Sequence, residues 1–180
     1  MGLEYARPIG LYYAIGMSLL ISHDKNSYMN ILLIGSGGRE HALAVKLIES
    51  PACDQLYIAP GNAGTSGCGV NLPIATTDFN AIKDAVLQYS IGMVVVGPEE
   101  PLVKGIRDYF KNDEQLSDIL FIGPDAYAAQ LEGSKAFAKS FMQRHGIPTA
   151  AYREFSEEDF DEAVTYIWQH PLPIVLKAEI

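Results

Sequence analysis

The chain is short of positive charge. It carries 13 lysines and arginines against 22 aspartates and glutamates, for a formal net charge of −9. Such a surface repels nucleic acid and anionic lipid, which excludes a general binder of phosphate backbones or membranes. A local phosphate site stays open, because backbone amides can supply one against the global sign. Cysteine is scarce as well. Cys53 and Cys68 form no C-x-x-C pair and have no His/Cys cluster beside them. They read as two reduced thiols of a cytoplasmic protein, and no metal-ligating set is expected. A G-K-[ST] sequence is missing, so the chain has no Walker phosphate loop. Long hydrophobic runs are missing too. The apolar stretch at residues 9–21 spans thirteen positions, short of the about 20 that a membrane span needs. Only Arg7 precedes it and Glu4 offsets that charge, unlike the basic start of a secretory signal. Residues 1–28 are therefore expected to be a non-native or unstructured extension ahead of an internal start at Met29.

What is present is globular. The 180 residues are 48% apolar and 19% charged, enough for one full domain and part of another. From Met29 the pattern alternates. Ile31-Leu32-Leu33-Ile34 is a continuous apolar run, the signature of a strand buried on both faces. A helix follows to about Ser50, stopped by Pro51. Further strands are expected at Leu56-Tyr57-Ile58-Ala59, Met93-Val94-Val95-Val96 and Leu120-Phe121-Ile122. Phe79, Ile82, Val86 and Tyr89 mark one intervening helix, and Leu102, Val103, Ile106 and Phe110 another. Residues 60–73 read as a loop rich in glycine and asparagine. Strands alternating with helices at this spacing predict an α/β fold with a doubly wound parallel sheet, Rossmann-like. After Gly123 the rhythm changes. A short helix at 126–131 precedes one capped by Ser134, a strand at 151–155, a helix opened by Ser156-Glu157-Glu158-Asp159, and a last strand at 174–177.

Ligands of such sheets bind at the carboxyl ends of the strands. Each of the first four expected strands ends there in a glycine or proline loop: Gly35-Ser36-Gly37-Gly38, Pro60-Gly61-Asn62-Ala63-Gly64, Gly97-Pro98-Glu99 and Gly123-Pro124. The first loop opens a helix, so its amides and the helix dipole suit an anion. It fails the dinucleotide fingerprint twice. Glu40 stands where the third glycine belongs, and Pro60 where a ribose-binding acid belongs. A phosphorylated small molecule fits better. Arg39 faces either phosphate or solvent, and His41 is as suited to a surface or capping role as to catalysis. Glu99 and Glu100 can accept hydrogen bonds from sugar hydroxyls or sit as solvated acids at a helix start. Lys135 opens a helix, where the dipole disfavours a cation, and Lys177 closes a buried-type strand, where lysine is expensive. An anion would neutralise both; the plain alternative is that they snorkel to water.

Five collinear motifs then become recognisable. They are Gly35-Ser36-Gly37-Gly38-Arg39-Glu40-His41-Ala42; Ala59-Pro60-Gly61-Asn62-Ala63-Gly64-Thr65; Val96-Gly97-Pro98-Glu99 with Pro101-Leu102-Val103; Gln130-Leu131-Glu132-Gly133-Ser134-Lys135-Ala136-Phe137; and Arg144-His145-Gly146-Ile147-Pro148-Thr149-Ala150. In order and spacing they closely resemble the glycinamide ribonucleotide synthetase family, from Met29 to about Ala178. The resemblance implies an ATP- and Mg2+-dependent ligase of purine biosynthesis. It joins 5-phosphoribosylamine to glycine through a glycyl phosphate. It implies that Gly37 and Gly38 bind the 5-phosphate, with Arg39 beside them, that Glu99 approaches the ribose, and that Asn62 and Gly64 line the same pocket. Lys135 and Lys177 match lysines that contact ATP phosphates in the ATP-grasp fold. Three parts are expected: the extension at 1–28, a phosphoribosylamine-side, pre-ATP-grasp α/β domain at 29–125, and a linker with the truncated start of an ATP-grasp domain at 126–180. No catalytic residue is assigned, and the chain alone is expected to be inactive. The expected partners are 5-phosphoribosylamine, glycine and ATP, with no nucleic acid and no membrane, and a monomer in the full-length form. Two other readings remain: a non-catalytic phosphosugar-binding module, and an NAD-type oxidoreductase domain, which Glu40 and Pro60 oppose.

Overall fold

An uninterrupted apolar run has no polar face to turn toward water, so it is stable only as a strand covered on both sides. The computed structural model, which describes residues 28–177, shows this in β1 (Met29–Gly35), where every residue from Ile31 onward is buried. All of the expected extension but Tyr28, and residues 178–180, lie outside the described residues. β2 (Cys53–Pro60), β3 (Val70–Asn71), β4 (Ile91–Val96) and β5 (Leu120–Ile122) complete one sheet. Its order is β3-β2-β1-β4-β5 and every pairing is parallel. The doubly wound α/β fold expected from the sequence is thus the observed one.

The two-residue period of β1 divides the core. Leu32 and Ile34 join Ile82 and Val86 of α2 (Phe79–Gln88) and Ile106 and Phe110 of α4 (Ile106–Asn112). Ile31 and Leu33 face the other way, onto Ala44 of α1 (Gly38–Ile48) and Leu56 and Ile58 of β2. Each such leucine or isoleucine removed from water contributes about 1.5–3 kcal/mol. Two layers of helices therefore clamp β1 and hold its carboxyl end in place.

Some local expectations change. The loop at 60–73 contains a 3-10 turn (Thr65–Gly67) and the short strand β3, which pairs with Tyr57 and Ile58. The helix expected from Leu102 to Phe110 is two helices, α3 (Glu99–Val103) and α4, because Gly105 takes a left-handed φ of +87° that no helix accommodates. Beyond the sheet come α5 (Ala126–Gly133), α6 (Lys135–Arg144) and, after a 3-10 turn (Glu157–Asp159), α7 (Phe160–Gln169). The capping expectations hold. The Ser134 hydroxyl accepts the Phe137 N–H at 3.1 Å, and Asp159 accepts both the N–H and the hydroxyl of Ser156. The strands expected at 151–155 and 174–177 are absent. A strand exists only where a neighbour takes up its N–H and C=O groups, and no described segment pairs with either one. No helix among the described residues is long and apolar enough to cross a membrane.

Candidate functional site

The chain leaves β1 toward β2 on one side and enters β4 and β5 on the other, so the crevice between β1 and β4 is the topological switch point. The loops at Gly35 and Gly97 meet there. The Gly37 N–H donates to Glu40 Oε2 at 2.6 Å, half of a capping box supplied by the third residue of α1. Glu40 is 4% exposed. A Cβ on Gly35, Gly37 or Gly97 would lie 2.4, 2.8 or 2.2 Å from a Glu40 side-chain atom. These three positions are glycine because a carboxylate side chain packs across them. Gly38 differs: a Cβ there would meet nothing within 4 Å. Gly37 serves as N-cap without a side chain to occupy the first turn of α1. The helix start at Gly38, Arg39 and Glu40 therefore opens outward at Gly38, with the N–H groups that any helix leaves over.

The second loop is fastened to the first by Asn62. Its Nδ2 donates to Ser36 O at 2.7 Å and Gly37 O at 3.3 Å, and its Oδ1 accepts the N–H groups of Gly64 and Thr65 at 2.7 and 3.0 Å. Thr65, fully buried, accepts the Asn62 N–H at 2.7 Å, and Asn71 Nδ2 donates to Asn62 O at 2.8 Å. The Asn62 side chain is thus fully used in positioning loop backbone. Gly64 is closed in by the His41 ring, which stands 2.8 Å from where a Cβ would be.

The third loop brings Glu99, the first residue of α3, toward Arg39. The Arg39 guanidinium lies 4.0 Å from Glu99 Oε2, 3.8 Å from Glu132 Oε1 of α5, and 3.6 Å from Glu40 Oε1. One exposed cation faces three carboxylates at long range, so each contact is weak and easily exchanged for a stronger anion. At the fourth loop, Arg107 donates to the carbonyls of Phe121 and Gly123 and ties α4 to the end of β5.

The structure thus places Gly37, Gly38, Arg39, Asn62, Gly64 and Glu99 along one edge of the sheet. No hydrogen bond or ion pair among the described residues links Lys135 or Lys177 to them. Lys135 is the exposed first residue of α6. Lys177 follows Val175 and Leu176, themselves 76% and 68% exposed, so the premise of a lysine closing a buried strand fails. Among the described residues, no group of three His, Cys, Asp or Glu side chains could hold a metal ion. Burial, aided by Asp54, pushes the Cys53 thiol up, away from nucleophilic use. Nothing in the sequence pattern singles out Thr65 and Asn71, which fasten the second loop, or Glu132, although Thr65 and Glu132 lie within the recognisable motifs. Only tertiary packing identifies them.

Comparison with known proteins adds a second line of evidence. The family model for Phosphoribosylglycinamide synthetase, N domain, matches residues 29–132, and that for its ATP-grasp (A) domain matches residues 133–180. The chain is 47% identical over 153 residues to a phosphoribosylamine–glycine ligase of Yersinia pestis and 48% identical to that of Haemophilus influenzae. Each match covers 84% of this chain and 34% of the relative, so the chain spans about a third of the length of the curated relatives it matches. Among solved structures it resembles the phosphoribosylamine–glycine ligase of Thermotoga maritima, with a TM-score of 0.52 and 29% identity over 76% of this chain and 30% of the other. The N5-carboxyaminoimidazole ribonucleotide synthetase of the same organism shares the fold at a TM-score of 0.51 and 18% identity.

Proposed function

The chain belongs to the phosphoribosylglycinamide synthetase family, and on that membership we propose that it supplies the phosphoribosylamine side of an ATP-dependent ligase of purine biosynthesis. The full reaction joins 5-phosphoribosylamine to glycine through a glycyl phosphate, which the amine then attacks with loss of phosphate. The observation that carries the reading is the open first turn of α1 at the switch point, where Gly38 faces free space beside amides that carry the positive end of a helix.

In this reading the 5-phosphate docks at Gly38 and the adjoining first-turn amides. Arg39 exchanges its distant carboxylates for the phosphate. Glu99, once released, accepts a ribose hydroxyl. Asn62 holds the Gly64 loop against the Gly35 loop, so both walls of the pocket move as one. Gly37 shapes the turn, its N–H being taken by Glu40. Lys135 and Lys177 are assigned to ATP phosphates, and the division at residue 125/126 belongs to the same proposal. The described residues do not form a magnesium site: no group of three His, Cys, Asp or Glu side chains among them is placed to hold the ion. We propose that the chain functions in the cytoplasm with these small molecules as its partners.

The test is calorimetry with ribose 5-phosphate, a stable stand-in for the labile amine. The unaltered chain should bind it, and Gly38→Val should abolish binding. Because a Cβ at Gly38 would meet no protein atom within 4 Å, the thermal transition should stay in place, so the loss reads the ligand and not the fold. Gly67→Ala, equally unobstructed, should bind normally. Binding unchanged in Gly38→Val would refute the site. The 180-residue chain by itself should release no ADP from ATP with glycine and phosphoribosylamine.

A further inference from the structure

Glu40 does more than cap a helix. It stands in the crevice between the ends of β1 and β4, at the position where dinucleotide-binding sheets keep the glycine that packs helix closely on strand, and it holds the N–H of Gly37, the position whose glycine lets backbone approach a pyrophosphate in those sheets. Three glycines close around it, with Cβ positions 2.2–2.8 Å from its side-chain atoms. Its Oε2 takes the Gly37 N–H, an amide an anion would otherwise use. Its Oε1 is buried and has no hydrogen-bond donor; the nearest cation, Arg39 Nε, stands 3.6 Å away. Burying an incompletely compensated carboxylate is costly, and such a group calls for an explanation beyond packing. A glutamine would accept the Gly37 N–H as well without burying a charge.

We propose that Glu40 is a specificity-determining residue that restricts this edge to the single terminal phosphate of a pentose and rejects ligands bearing a pyrophosphate. The inference rests on the phosphosugar reading of the site and deepens it. A lone phosphate at Gly38 uses only the amides that Glu40 leaves available. A second phosphate group over the loop would find the Gly37 N–H occupied and would lie beside the incompletely compensated Glu40 carboxylate, buried where like charges are poorly screened. The packing of Gly35, Gly37 and Gly97 holds the carboxylate in the crevice, so it cannot swing aside for a larger ligand.

The experiment titrates the full chain, Glu40→Gln and Glu40→Ala with ribose 5-phosphate and with ADP-ribose, counting only ADP-ribose binding that ribose 5-phosphate displaces. Selectivity for ribose 5-phosphate should fall by roughly tenfold or more in both variants, through tighter ADP-ribose binding. Thermal melts verify folding. Glu40→Gln preserves shape and the Gly37 contact, so it decides alone if Glu40→Ala does not melt cooperatively. A smaller change in Glu40→Gln overturns the proposal while leaving the phosphosugar site standing. An unaltered chain that fails to bind ribose 5-phosphate overturns the site itself, and this inference with it.

Discussion

The sheet region and the region after Gly123 answer the same kind of sequence signal in opposite ways. Ile31-Leu32-Leu33-Ile34 and Ile174-Val175-Leu176 are both apolar runs that ask for a buried strand. The first is clamped between two helix layers, with Leu32, Leu33 and Ile34 at 0% exposure. The second pairs with nothing among the described residues, and Val175 and Leu176 lie largely in solvent. The helices differ in the same sense. α1 and α2 bury side chains in the core, whereas α6 and α7 bury none fully, and Trp168 of α7 is 84% exposed. An apolar run states what a segment needs. Whether the need is met depends on what the rest of the fold presents to it.

Core truncation should divide the two regions most sharply. Leu32→Ala removes atoms from a fully packed site, and the transfer and cavity terms together should cost about 2–5 kcal/mol. Leu176→Ala removes atoms already in water, so its effect should stay within about 0.5 kcal/mol. Urea unfolding measures both. A comparable loss at Leu176 would show that the second region is packed in solution and would break the comparison.

The next effect concerns the switch point. A methyl at Gly97 would stand 2.2 Å from Glu40 Oε1. Such overpacking typically costs about 1–3 kcal/mol. Gly97→Ala should therefore destabilise the chain in the presence of Glu40 and much less in a Glu40→Ala background. Additive losses in that cycle would show that the two residues are not in contact.

Much of the sheet region was legible from its sequence. Continuous apolar runs bounded by glycine and proline located β1, β2, β4 and β5, and 3-4 spacing located α2, because each signal reports a face that the finished fold does cover. β3 was not legible: two residues carry no period, and Val70-Asn71 is a strand only because Tyr57 and Ile58 lie beside it. The break at Gly105 was not legible either, since a glycine within a helical pattern does not announce its φ. At the site, the edge was readable from four loops ending four strands. The inward turn of Glu40 was not. The sequence showed that Glu40 breaks a dinucleotide fingerprint. Only the structure shows that its carboxylate occupies the space and gives Gly35, Gly37 and Gly97 a common reason.

The smallest effect should come from ion pairs, and there too the regions should differ. Lys83 of α2 donates to Asp113 at the end of α4, and both side chains are about four-fifths covered, at 23% and 20% exposure. In the tail, Arg153 and Glu162 also pair, but at 47% and 57% exposure, where screening leaves little. The Lys83 bond, helped by the Gln115 N–H, holds the Asp113 carboxyl below the usual carboxylate range, and the same bond holds Lys83 above the usual lysine range. The two shifts bound a window. Asp113 contributes stability above the ordinary carboxylate pKa and loses it as pH falls through its depressed folded value, because the unfolded chain takes up the proton first. Lys83 contributes below the ordinary lysine pKa and loses it as pH rises through its elevated folded value. Thermal melts of Asp113→Asn against the unaltered chain should therefore show a deficit across neutral pH that closes at the acid end. Glu162→Gln should show a flatter and smaller difference over the same range. A deficit in Asp113→Asn that persists unchanged into acid would assign the loss to packing rather than charge.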